Sequence, residues 1–275
     1  MIVDAHQHFW DPAVEEYPWL EDDDLSAVRR RFDAHDLELV LRAHGVSGTV
    51  LVQALGSAEE TRRLLAVAEA TPFVLGVVGW IDLTDPDAAG ALARMAGGSL
   101  AGIRHQVEDE PDLDWLLRAD VQRGISAVGN AGLVYDLLVR PPQLPAAIET
   151  VRRHPDMQFV VDHVAKPPIR GGDTGDWARG LEQLAALPNV SCKLSGLVLE
   201  ADWGAWRTDE LVPYYRRALE WFGPGRCMFG SDWPLCLVAA DYGDVFGLLR
   251  AALYDLGEAE RTAVLGGNAL RLYHL

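Results

Sequence analysis

The chain is short of basic charge, of cysteine and of long apolar runs, and each shortage removes a class of function. Its 24 Lys and Arg face 41 Asp and Glu, a formal charge of −17. Nucleic acid and anionic membrane are therefore not expected as partners, since both require a basic surface. The three cysteines, Cys192, Cys227 and Cys236, are odd in number and scattered, which does not suit a disulfide framework. No stretch approaches the ~18 consecutive apolar residues of a membrane span. The opening Met1-Ile2-Val3-Asp4-Ala5-His6 has neither the basic start nor the apolar run of a secretory signal. The expectation is a soluble cytoplasmic protein acting on a small molecule, with a homo-oligomer left open. A Gly-rich phosphate turn after the first strand and a Gly-x-Ser-x-Gly elbow are also missing, which argues against a dinucleotide-binding open sheet and a serine nucleophile.

What is present is a regular alternation. Hydrophobic residues make up 49% of the chain. Eight apolar or β-branched runs predict strands at Ile2–Phe9, Ser47–Ala54, Phe73–Leu83, Leu100–Val107, Gly132–Val139, Gln158–Lys166, Val190–Gly196 and Arg226–Pro234. Helical spacing lies between them, at Glu59–Ala70, Asp114–Gln122, Gln143–Arg153, Asp176–Ala186, Asp209–Phe222 and Tyr242–Ala252, with a closing segment from Glu258. Ser57 and Glu60 read as a capping box, and Asp85-Pro86-Asp87 as a further helix start. Eight strand–helix units in 275 residues predict one α/β domain spanning the chain, a (β/α)8 TIM barrel. In that fold the chemistry belongs to the C-terminal strand ends.

Those ends are polar. Alternation along the first strand puts Asp4, His6 and His8 on one face. Strand six ends in Asp162-His163, strand eight in Asp232, strand four in Arg104-His105 and strand seven in Lys193-Leu194-Ser195. Each has an ordinary alternative as a turn, cap or core residue; their convergence on one barrel mouth is harder to explain that way. Three imidazoles and a carboxylate (His6, His8, His163, Asp232) suit one divalent metal such as zinc, or the polarising and proton-transfer work of hydrolysis without one. Neighbours on a strand face opposite ways, so Arg104 rather than His105 is expected in the lumen. Tyr135 and Lys193 are expected to touch substrate, with Trp10, Trp80 and Trp233 as apolar walls and Lys166 as a loop contact or a solvated residue. His35, His44, His154 and His274 read as ordinary structural residues.

"DAHQHFW", "VDHVAKP", "CKLSGL" and "FGSDWP" together resemble the amidohydrolase-2 branch of the amidohydrolase superfamily, which contains sugar lactonases of the L-fuconolactonase and L-rhamnonolactonase type. The resemblance runs from the first residues to Asn268. It implies hydrolysis of an aldono-1,4-lactone, with Asp232 as general base and His163, Arg104 or zinc polarising the carbonyl. The chain departs from binuclear members: no His stands on strand five, and strand four offers Arg104 and His105 instead of a bridging carboxylate. One metal on His6, His8, His163 and Asp232 is the most that the pattern implies. Competing readings are a pyrone-dicarboxylate lactonase, which needs a basic loop cluster, a metal-dependent decarboxylase, and a non-catalytic sugar-acid binding protein.

Overall fold

The computed structural model describes residues 1–95 and 97–275. Eight strands form a single parallel sheet in sequential order. They are β1 Val3–Gln7, β2 Gly48–Val52, β3 Val74–Gly79, β4 Leu100–His105, β5 Val134–Leu137, β6 Phe159–Val161, β7 Val190–Leu194 and β8 Cys227–Phe229. The ring closes just above β1 and β8, where His8 N–H donates to Trp233 O at 2.7 Å and Asp232 N–H donates to His6 O at 2.8 Å. The architecture is the (β/α)8 barrel the alternation predicts.

The surrounding helices are α1 Ala34–His44, α2 Ala58–Ala70, α3 Ala88–Met95, α4 Ala119–Asn130, α5 Leu144–Arg153, α6 Gly175–Ala185, α7 Leu197–Glu200, α8 Thr208–Phe222, α9 Tyr242–Ala252, α10 Glu258–Thr262 and α11 Asn268–Leu272. Apolar side chains fall into two cores. The larger lies between strands and helices; the smaller fills the lower lumen with Val3, Ala5, Val50, Val52, Val134, Val160 and Met228, closed from below by Ala269 and Tyr273. Burying each such aliphatic side chain contributes ~1.5–3 kcal/mol. No helix among the described residues is long and apolar enough to cross a membrane.

Local differences from the sequence reading have local causes. Ser57 Oγ caps Glu60 N–H at 3.1 Å, but the Glu60 carboxylate reaches past the cap to the N–H groups of Ala54 and Leu55, at 3.0 and 2.9 Å. The helix expected at Asp114–Gln122 is a short turn at Trp115–Leu117 followed by α4. The extended run expected over Gln158–Lys166 stops at Val161. His163, Val164, Ala165 and Lys166 then take φ values of 51°, 54°, 55° and 47°. Four successive non-glycine residues in the left-handed region cost roughly 1–2 kcal/mol each, and such strain is concentrated at functional sites.

Candidate active site

The mouth of the barrel begins with a bulge in β1. Asp4 pairs with Thr49 and Gln7 with Leu51, so three steps on β1 match two on β2. Asp4 therefore faces the helix layer, where its carboxylate accepts from Tyr242 OH at 3.0 Å and from the N–H groups of His6 and Ser231. This corrects the single face expected for Asp4, His6 and His8: only the two histidines turn inward. Gly230 makes room for them, because a Cβ there would lie 2.7 Å from the Cβ of His6.

His6 is fully buried at the centre of a charged cluster. Its Nε2 lies 3.2 Å from Arg104 and 3.1 Å from His8 Nε2; its Nδ1 lies 3.2 Å from Lys193 Nζ and 3.4 Å from Asp162 Oδ1. Arg104 is buried in the lumen, pairing with Asp162 at 3.0 Å and donating to Gln53 O at 2.6 Å. His105 points away, stacked on Trp115 with ring centroids 4.1 Å apart and bonded to Trp80 and Glu110. Lys193 does face the lumen but lies beneath the site, fully buried between Asp136 at 2.5 Å and Asp162 at 3.0 Å.

His163 enters from the left-handed turn. Gly196 (φ 70°) lets it approach, since a Cβ there would fall 2.6 Å from the ring, and Ser195 Oγ lies 2.9 Å from His163 Nδ1. Asp232 completes the mouth, with Oδ1 3.3 Å from His8 Nε2 and Oδ2 4.0 Å from His163 Nδ1. Burial pushes His163 down to about 4, against the pull of Asp232 and Asp162. Burial alone would raise Asp232, but His163, His8 and His6 outweigh it and hold the carboxyl well below the usual carboxylate range. At neutral pH a neutral imidazole therefore stands beside an ionised carboxylate.

The cavity above encloses about 180 Å³ and is lined by His8, Trp10, Trp19, Arg104, His163 and Asp232, with Glu108 and Lys166 at its rim. Lys166 is paired with Glu108 at 2.6 Å, and Arg140 with the same carboxylate at 3.2 Å. Of the walls expected, Trp10 is in place. Trp233 instead packs edge-on against Phe9 and Phe32 beneath the loop, and Trp80 holds His105. Tyr135 is a correction: it faces the helix layer against Phe159, its hydroxyl buried and unpartnered, while its neighbour Asp136 points inward. Trp19, on the loop after β1, and Asp162, as the partner of Arg104, had not been read as site residues. One signal was available: the chain has just two lysines, Lys166 and Lys193, and both lie at this cluster.

The donor set fits one cation. Among the described residues, Asp232 Oδ1 and Asp162 Oδ1 are buried carboxylate oxygens without a hydrogen bond, the second lying 3.0 Å from the Lys193 ammonium. His8 Nδ1 lies 2.8 Å from Val52 O; a carbonyl only accepts, so Nδ1 carries a proton, and Nε2 is the nitrogen turned toward Asp232 Oδ1 and free to ligate in the neutral ring. His6, His8 and Asp232 present ligand atoms within 4.8 Å of one another. His163, expected as a fourth ligand, falls outside this trio and groups with His6 and Asp162.

A family model described as amidohydrolase matches residues 3–275. The chain is 41% identical to L-fucono-1,5-lactonase of Burkholderia ambifaria, covering 99% of this chain and 95% of that protein. It is 22% identical to L-rhamnono-gamma-lactonase of Scheffersomyces stipitis, over 95% and 85% of the two chains. A crystal structure of an amidohydrolase from Burkholderia multivorans with bound zinc superposes with a TM-score of 0.95 at 39% identity, covering 100% of this chain and 99% of that one. A histidine pair turned inward by a bulge, an ionised aspartate facing it and a family match over nearly every residue lead to one assignment: the chain belongs to the amidohydrolase family.

Proposed function

We propose that this protein hydrolyses the internal ester of a six-membered sugar lactone of the L-fucono-1,5-lactone class, a step of carbohydrate metabolism. The observation that carries the reading is Asp232: an ionised, buried carboxylate whose Oδ1 has no partner and which opens onto a cavity also reached by Arg104. A five-membered 1,4-lactone was the ring expected from the sequence; the 41% identical 1,5-lactonase moves the proposal to the larger ring. At about 180 Å³ the cavity is smaller than the ~300–1,000 Å³ of sites for drug-sized ligands, which suits one ring and not an oligosaccharide.

Asp232 takes the proton of a water attacking the lactone carbonyl, and the carbonyl oxygen gathers negative charge as the tetrahedral centre forms. Arg104, held in the lumen by Asp162 and Gln53, stabilises that charge. The protonated Asp232 then hands its proton to the ring oxygen as the acyl C–O bond breaks, with neutral His163 beside it. Trp10 and Trp19 wall the apolar face of the ring. A divalent cation held by His6, His8 and Asp232 supplies Lewis acidity to the carbonyl and a more acidic water when bound. Buried free cysteines fit a reducing compartment such as the cytoplasm.

A dicarboxylate substrate is disfavoured, because Lys166 and Arg140 are already paired with Glu108, which leaves Arg104 as the cation reaching the cavity for two carboxylates. A panel of 1,5- and 1,4-aldonolactones with pyrone dicarboxylate, followed with a pH indicator, separates the readings. Turnover of 1,5-lactones above the spontaneous rate supports the proposal; turnover of the pyrone alone rejects it.

A further inference from the structure

The lumen below the site holds a chain of contacts that the mechanism does not use. Tyr273, just past α11, enters the closed end of the barrel, and its hydroxyl donates to Asp136, with Oδ1 and Oδ2 at 2.8 and 2.9 Å. Asp136 holds Lys193 Nζ at 2.5 Å, and the same ammonium lies 3.2 Å from His6 Nδ1. All of these side chains are buried. Four residues thus connect the sealed end of the barrel to the catalytic mouth.

Their effect follows from what a neutral imidazole can do. It has one N–H and one lone pair, yet His6 meets a cation at each nitrogen, Arg104 at Nε2 and Lys193 at Nδ1, both at 3.2 Å. Only one of them can donate to it. If Lys193 donated, Nδ1 would carry the lone pair and Nε2 a proton, which would point at Arg104 and remove the lone pair from the mouth. If Lys193 is held back, Nδ1–H faces Asp162 Oδ1 at 3.4 Å, an oxygen that also takes the Lys193 ammonium at 3.0 Å, and the Nε2 lone pair faces Arg104 and the metal donor set. Lys193 lies nearest Asp136, at 2.5 Å, then Asp162, at 3.0 Å, and farthest from His6, at 3.2 Å, which is the arrangement that holds it back, with Asp136 as the shorter anchor.

We propose that Asp136 and Tyr273 are positioning residues that draw Lys193 off His6 and so keep the His6 Nε2 lone pair aimed at the mouth. The inference rests on the site reading above, but its first readout needs no substrate. In metal-free protein carrying 15N-histidine, the wild type shows His6 protonated at Nδ1. Asp136→Asn, which removes the shorter of the two carboxylate anchors and leaves the ammonium between Asp162 and His6, shifts His6 toward Nε2 protonation. Its kcat on the best 1,5-lactone falls roughly tenfold, the scale of a small misplacement of a catalytic group, with KM within twofold. Tyr273→Phe keeps the ring in the apolar plug and shifts both readouts in the same direction by less. The decisive variant is Asp136→Asn with Lys193→Met, which removes the competing donor: His6 returns to Nδ1–H and most of kcat is recovered. A wild-type His6 spectrum in Asp136→Asn, or no recovery in the double variant, overturns the proposal. If Asp136→Asn does not fold, an unchanged His6 spectrum and kcat in Tyr273→Phe overturns it equally. A normal His6 response in a protein that turns over no lactone would count against the substrate class alone.

Discussion

Replacing Asp232 with Asn probes the chemistry with little disturbance to the structure. The residue is 1% exposed, and its side chain is nearly isosteric in the two forms. The residue sits at φ 59°, a region Asn tolerates better than most residues, and its N–H bond to His6 O is a backbone contact that survives. What is lost is the ability to accept a proton. A general base contributes about 10²–10⁴ in rate, or ~2.7–5.5 kcal/mol in the barrier. The amide can also donate to the His8 Nε2 lone pair, 3.3 Å from Oδ1, so the pocket stays ordered. Initial rates of 1,5-lactone opening, corrected for spontaneous hydrolysis, should fall by that factor, while melting shifts by no more than ~2–4 °C per kcal/mol of altered stability. An Asn variant within threefold of wild type would refute Asp232 as the base.

Tyr135→Phe should leave kcat and KM within twofold, because the hydroxyl faces the helix layer, and should raise stability by about 1 kcal/mol in urea titration as an unpaired buried group disappears. Burial lifts the Glu60 carboxyl to about 7 from 4.5, so the folded state binds a proton that the unfolded chain has released over that window, and stability is lost as pH rises through it. Glu60→Gln removes that loss: its stability relative to wild type, measured by chemical denaturation, should grow by about 3 kcal/mol between pH 5 and 8, and a flat difference would refute it. Zinc titration by calorimetry should find one site per chain, abolished in His8→Ala.

The barrel was readable because each strand announces itself as an apolar run, and eight such runs separated by helical spacing admit few other closures. The lumen side of Lys193 was readable from strand parity, since Val190, Cys192 and Leu194 suit the helix layer; on strand four parity alone leaves Arg104 or His105, and Arg104 is preferred because an arginine against the helix layer needs burial or a path to solvent. Parity failed where the backbone breaks its period. The β1 bulge sent Asp4 to the helices while keeping both histidines inside, and no composition signal marks one extra residue in a buried strand. In β5 Tyr135 was expected to touch substrate, yet its neighbour Asp136 is the one inside, where Lys193 and Tyr273 satisfy it. The left-handed run from His163 to Lys166 contains a β-branched valine, which argues for strand; a local bond from Lys166 N–H to His163 O at 2.8 Å and tertiary contacts such as Trp177 Nε1–H donating to Val164 O at 2.7 Å hold it. Trp19 lies in a loop whose path depends on long-range packing, including its own bond to Ala54 O.

The most direct measurement is the steady-state kinetics of the purified protein on L-fucono-1,5-lactone, with spontaneous ring opening subtracted. The account predicts saturable hydrolysis with kcat/KM above about 10⁴ M⁻¹s⁻¹, the lower end of ordinary enzymatic efficiency, and far slower turnover of pyrone dicarboxylate. Ring opening no faster than in buffer, for this lactone and its 1,5-lactone stereoisomers alike, would contradict it.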